Sequence, residues 1–110
     1  MIQVKEVAQR LGLTPLSAAD DAREVRGGYA GDLLSWVMGR VPNDAAWITI
    51  MTNINVVAVA VLRDVSMAIV AEGSEVPAEV IERAREQGVN LYAAAADADT
   101  LCAALSRLLE

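Results

Sequence analysis

Three glycines within five residues stand between an arginine and an aspartate: Arg26, Gly27, Gly28, Gly31 and Asp32. That spacing marks backbone that either takes positive φ or admits close approach by another group. Glycine amides leading into a helix can cradle an anion, and Arg26 could pair with it. The stretch is not a Walker motif, because no Lys-Ser/Thr follows the last glycine. It is not a dinucleotide fingerprint either: the spacing differs, and Asp32 would repel a phosphate. The competing reading is a tight turn demanded by packing. A second polar group, Thr52, Asn53 and Asn55, stands where a strand would feed a helix. Ligands of open α/β sheets collect at the carboxyl ends of strands. Side-chain amides there could read a nucleobase or a small polar metabolite; helix capping is the plainer role.

Other chemistry is excluded by counting. The chain has no His and one Cys, Cys102. Ser-His-Asp and Cys-His arrangements, Cys/His zinc sites, self-contained iron–sulfur sites and an internal disulfide are therefore ruled out. Cys102 lies in an apolar helical pattern and reads as a small buried hydrophobe. Asp20, Asp21 and Asp32 could gather a divalent cation, but neighbouring loop acids are ordinarily just solvated, so no metal and no cofactor is expected. If the chain were an enzyme of phosphoryl or acyl transfer, Asp32 with Arg26 would be its one base–electrophile pair. Trp36 falls beside the apolar face of its helix, next to Val37, Gly39 and Arg40. A partly exposed Trp there suits a protein interface, with core filling as the alternative.

Charge and length narrow the class further. The chain has 110 residues and a net charge of -6, with nine Lys+Arg that do not cluster. Neither a nucleic-acid groove nor an anionic membrane surface is expected. The longest apolar run, Val56 to Leu62, is too short to span a bilayer. Met1 to Arg10 carries Lys5, Glu6, Gln9 and Arg10, unlike a signal peptide, so a cytoplasmic location is expected.

These residues must be positioned by a small set of elements. Ile2 to Leu11 has helical spacing and stops at Gly12. Leu13 to Leu16 reads as an edge strand because of Pro15. Ser17 to Arg23 reads as a loop, and the glycine stretch from Arg26 to Asp32 as another. Asp32 would cap a helix over Leu33 to Gly39, with Leu33, Leu34, Val37 and Met38 inward. Ala46 to Met51 is β-branched and aromatic, as in a central strand. Val56 to Leu62 has strand composition, but its short polar link offers no glycine for a primed hairpin turn. A buried helix capped by Asn53 or Asn55 is the preferred reading over a strand. Met67 to Ala71 is a strand, Pro77 opens a helix with Val80, Ile81 and Ala84 inward, and Gly88 ends it. Val89 to Ala93 is a strand. Asp97 or Asp99 caps a last helix with Leu101, Ala104, Leu105 and Leu108 at i, i+3, i+4, i+7. The alternation from Ala46 onward predicts a single compact α/β domain over residues 1–110, with a mostly parallel sheet covered by helices.

The segment Gly27-Gly28-Tyr29-Ala30-Gly31-Asp32-Leu33-Leu34-Ser35 resembles the glycine-rich segment of the DRTGG domain family. The block from Ala46 to Ala60, with Thr52, Asn53, Ile54 and Asn55 at its centre, is similar to the next block of that family, and the resemblance covers essentially the whole chain. The name-giving pentapeptide is Glu24-Val25-Arg26-Gly27-Gly28 here, and Asn53 stands where many relatives have His. The resemblance implies a regulatory α/β domain, often a homodimer, found alone or attached to CBS-containing pyrophosphatases and phosphotransacetylases. It also implies kinship with the amino-terminal domain of HPr kinase/phosphorylase, and stand-alone members often accompany iron–iron hydrogenase or redox genes. A non-enzymatic module that senses a small anionic or nucleotide ligand, or docks a redox partner protein, is the function this leads to. A structural adaptor for a redox enzyme, docking through Trp36, is the other non-catalytic expectation.

Overall fold

A chain that alternates strand and helix is driven toward parallel pairing, because each crossover helix returns it to the same end of the sheet. The computed structural model describes residues 1–110. Its elements run β1 (Ile2–Gln3), α1 (Val4–Leu11), β2 (Thr14–Ser17), β3 (Glu24–Val25), β4 (Gly27–Ala30), α2 (Leu34–Arg40), β5 (Ala45–Thr49), α3 (Asn55–Leu62), β6 (Met67–Val70), α4 (Ala78–Gln87), β7 (Leu91–Ala93) and α5 (Ala98–Leu109). The main sheet has the order β2-β7-β6-β5-β4. Strands β4 to β7 are parallel, and β2 runs antiparallel on the β7 edge. The mostly parallel α/β sheet expected from the sequence is present. β1 and β3 form a separate antiparallel ribbon.

Each crossover from β4 to β7 moves one strand along in the same direction. Right-handed crossovers then place α2, α3 and α4 together on one face. The core divides accordingly. Trp47 and Ala45 pack with Val37, Val57 and Val80 on the side of these three helices. Ala46 and Ile48 pack with Val4, Val7, Leu101 and Leu105 on the side of α1 and α5. Adjacent residues of β5 thus serve opposite layers, which is why that strand is apolar at nearly every position.

The run Val56 to Leu62 is helical, as preferred from its flanks, although its residues favour strands. Tertiary burial overrides propensity here. It is buried on one side only: Val56, Val57, Val59 and Ala60 face the sheet, while Ala58, Val61 and Leu62 are exposed. The expected inward Leu33 is likewise exposed, with Val37 carrying the buried face of α2. Gly12 and Gly88 end α1 and α4 in the left-handed conformation, with φ of 67° and 70°. In α5, Leu101 and Leu105 are buried and Asp97 holds the N-cap position, its carboxylate accepting the Thr100 hydroxyl. That bond holds the Asp97 carboxyl below its ordinary range.

The glycine stretch is corrected. Gly27 to Ala30 is not a loop but the strand β4, in register against Ala45 to Ile48. None of Gly27, Gly28 and Gly31 has positive φ. Gly28 and Gly31 answer to close approach instead, while a Cβ on Gly27 would meet nothing within 4 Å. A Cβ on Gly28 would lie 2.8 Å from Leu105 Cδ2, and one on Gly31 would lie 3.1 Å from Tyr29 Cε2.

The two sheet edges differ. β2 carries Pro15 and a register shift between Pro15 and Ser17, two devices that blunt an edge. The Ser17 hydroxyl beside them is buried and has no partner. Removing an unsatisfied buried hydroxyl relieves a desolvation cost. Ser17→Ala is therefore expected to leave thermal stability unchanged or raise it, and a clear fall in melting temperature would show a bond at Ser17 Oγ.

Candidate functional site

β4 and β5 are parallel, so their carboxyl ends emerge side by side. Gly31 N–H donates to Ile48 O at 3.1 Å, and the Trp47 indole N–H donates to Gly31 O at 3.0 Å. These bonds fix the turn that presents Asp32. Asp32 was expected to cap α2, but Leu33 occupies the N-cap position and no side chain caps that helix. The Asp32 carboxylate reaches back to β5 instead. Its Oδ1 accepts the Thr49 hydroxyl at 2.9 Å and the Ile50 N–H at 2.7 Å. Thr49 Oγ1, itself buried, accepts the Met51 N–H at 3.2 Å. Asp32 is exposed and only its Oδ1 has protein partners, which leaves Oδ2 able to accept from a ligand. Asp32→Ala would orphan the Thr49 hydroxyl and the Ile50 amide. It is expected to cost about 1–3 kcal/mol, measured by urea unfolding against wild type.

Thr52 and Asn53 stand on the connection from β5 into α3 and Asn55 opens that helix, shortly after the Ile50 N–H that Asp32 accepts. The N-cap position of α3 is Ile54, not Asn53 or Asn55. Asn53 still supports the helix start: its Oδ1 accepts the Asn55 N–H at 2.9 Å. Asn53 and Asn55 are exposed and Thr52 half-buried. At the end of β6, Glu72 has a φ of 67°, a conformation that costs a side-chain-bearing residue on the order of 1 kcal/mol. Its N–H donates to Ala96 O at 2.8 Å, and its Oε2 accepts the Ala98 N–H at 3.0 Å, which ties the β6 end to the start of α5. Sequence reasoning missed Glu72; the only signal was the Glu72-Gly73 pair closing a strand.

The sequence-derived residues therefore separate into groups. Gly31, Asp32, Thr52, Asn53 and Asn55 gather at the carboxyl end of β4 and β5 as an open polar shelf. Arg26 lies at the opposite end of β4. Its N–H donates to Asp44 O at 2.8 Å and its Nε pairs with Glu24 Oε2 at 3.2 Å. Six residue steps lead from Arg26 to Asp32, roughly 20 Å at the rise of a strand. The pair considered for catalysis does not share a strand end. Gly27 and Gly28 line the strand between, and Gly28 borders a cleft of about 180 Å³ that also reaches Cys102 and Leu105.

Burial, and then the nearby Asp99 charge, push the Cys102 thiol up. A raised thiol pKa means less thiolate at any given pH, so Cys102 is a poor nucleophile. Iodoacetamide at neutral pH is expected to label it more slowly than a free cysteine peptide; labelling at the peptide rate would contradict this environment. Asp20 lies at the amino end of the sheet, its N–H bonded to Asn90 Oδ1 at 2.8 Å. Asp20 and Asp21 are thus remote from Asp32, and no cluster of three metal-ligating side chains forms. Trp36 is 54% exposed, and the Arg40 guanidinium lies 3.6 Å from its ring centroid, a cation–π contact.

No family model matches the chain, and no curated protein matches it. Among solved structures it is similar to the crystal structure of the CBS and DRTGG domains of the regulatory region of Clostridium perfringens pyrophosphatase, complexed with the activator diadenosine tetraphosphate. The TM-score is 0.73 at 17% identity, over 96% of this chain and 45% of that chain. The chain thus spans under half the length of that neighbour, and at this identity the likeness is one of fold. The fold agrees with the one that the sequence resemblance implies. No helix is long and apolar enough to cross a membrane.

Proposed function

We propose that this chain is a non-enzymatic regulatory module that binds the nucleoside part of a small nucleotide-like ligand on the shelf formed by Asp32, Thr52, Asn53 and Asn55. The observation that carries this reading is the fold likeness, over 96% of the chain, to a regulatory region solved with a dinucleotide activator. The shelf's chemistry agrees. A carboxylate oxygen without a protein partner accepts from sugar hydroxyls or an exocyclic amine, and asparagine amides both donate and accept. The negative charge of Asp32 favours sugar and base over phosphate at that spot. Absence of His, the raised Cys102 thiol and the separation of Arg26 from Asp32 argue against turnover.

The test is calorimetric titration with AMP, ATP and diadenosine tetraphosphate. Wild type is expected to bind at least one of them, and Asn53→Ala to weaken it by about tenfold, the worth of one good hydrogen bond. No binding by wild type at millimolar nucleotide would sink the reading. In line with the DRTGG resemblance, we further propose that the module acts in the cytoplasm, as a homodimer, beside a hydrogenase or other redox enzyme. A second reading, a docking adaptor, is favoured by the exposed Trp36. Capture of a redox protein from the host by wild type but not by Trp36→Ala, without any nucleotide effect, would select it.

A further inference from the structure

The large apolar side chains that this fold leaves exposed are unevenly placed. Apart from Met1, all of them lie on α2, on the turn after β5, or on α3: Leu33, Trp36, Ile50, Ile54, Val61 and Leu62. Their exposures run from 39% for Ile54 to 68% for Leu62. At roughly 200 Å² per large apolar residue they leave on the order of 600 Å² uncovered, against about 800 Å² per partner in a standard interface.

The stripe on α3 is periodic. Ile54, Ala58, Val61 and Leu62 fall at i, i+4, i+7 and i+8, opposite the buried Val56, Val59 and Ala60. The helix is apolar all round, and helices of that kind are buried all round. Here the sheet covers only half of it. From these facts we infer that two copies of this chain pair through the outer face of α3, burying the stripe against itself about a two-fold axis. This deepens the homodimer reading above; the face adjoins the ligand shelf at Asn55 and lies apart from Asp32, Thr52 and Asn53.

Three observations select a second copy as the occupant. Residues near a two-fold axis meet their own copies, so any charge there would face a like charge. α3, from Asn55 to Leu62, contains none. The chain carries a net charge of -6, so two copies repel over most orientations and least across this neutral face. The face also carries its own complement. A groove of about 350 Å³ runs between α3 and α4, lined by Ile54, Asn55, Ala58, Val61 and Leu62 on α3 and its start, with Arg83 and Gln87 at its far wall. The ridge at Val61 and Leu62 of one copy can enter the groove of the other and receive its ridge in return, which is what an isologous helix contact requires. The Arg83 charge is answered on its own helix by Glu86 at 3.4 Å.

The experiment is sedimentation velocity at micromolar concentration on wild type, Ala58→Glu, Ala58→Arg and their equimolar mixture. Wild type is expected to be a dimer. Each variant alone is expected to dissociate at least about tenfold more readily, and the mixture to recover a heterodimer because opposite charges then meet across the axis. If either Ala58 variant loses its circular-dichroism spectrum, Leu62→Glu and Leu62→Lys, at the most exposed position of the stripe, replace them. A monomeric wild type overturns the inference and hands the face to another protein. So does a dimer that survives both single variants, or a mixture of folded variants that stays monomeric. Nucleotide titration of the monomeric variant separates this result from the ligand reading: retained binding with lost pairing would locate the two functions on different surfaces.

Discussion

Trp47→Ala is expected to remove about 3–5 kcal/mol of stability, a large share of the 5–15 kcal/mol typical of a domain. Trp47 is fully buried and is the largest side chain of the core. It fills the layer between β5 and the α2–α4 helices, where the neighbours are chiefly Val and Ala. Small residues fixed on helices cannot move in to fill the hole, so the cavity term adds to the lost transfer energy. The variant also leaves Gly31 O without its indole donor, at the turn that presents Asp32. Trp47→Phe separates the two effects: it keeps much of the volume and loses only the hydrogen bond, so about 1–2 kcal/mol is expected for the bond plus a smaller packing loss. Urea unfolding followed by circular dichroism measures both. A loss for Trp47→Ala no larger than that for Trp47→Phe would show that the packing argument is wrong.

The second large effect is expected at Asn90. Its side chain is buried and makes three hydrogen bonds: Oδ1 accepts the Asp20 N–H at 2.8 Å, and Nδ2 donates to Asp20 O at 2.8 Å and Ser66 O at 2.9 Å. It pins the loop after β2 to the amino ends of β6 and β7. Asn90→Leu keeps the approximate volume and removes a partner from three backbone groups, of which Asp20 O retains the Arg23 N–H at 3.3 Å. About 3 kcal/mol is expected, since orphaned buried groups cost about 1–3 kcal/mol each and those nearer solvent recover water. Hydrogen exchange gives the sharper check. The Asp20 amide should lose protection far more than the β5 amides, and uniform loss would mean that Asn90 acts through global stability alone.

How far the sequence revealed this arrangement depends on the range of the forces involved. α3 was legible because the link Thr52 to Asn55 is too short and lacks the glycine for a hairpin, a local constraint. The stops at Gly12 and Gly88 were legible because left-handed backbone selects glycine at the residue itself. The strand at Gly27 to Ala30 was not. Its glycines look like a loop until α5 packs across them, and the atom that forbids a Cβ at Gly28 belongs to Leu105, far along the chain. Asp32 was read as a cap because its true partners, Thr49 and Ile50, lie on another strand. Asn90 gave no signal, its partners at Asp20 being 70 positions away. The exposure of half of α3 was missed for a related reason. An apolar run announces that it must be covered and does not say by which molecule.

The sheet order carries a consequence for the moment of synthesis. β2 is made early, yet its only partner in the sheet is β7, and the layer over Ala46, Ile48, Met67 and Ile69 is completed by α5. A nascent chain that has emerged as far as Gly88 can pair β4, β5 and β6 and cover one side. The other side lacks α5, against which α1 packs, and β2 waits for β7. Vectorial folding from the amino terminus is thereby blocked. The chain closes in one late event, and a ribosome stalled before α5 would present an apolar sheet face to the chaperones around it.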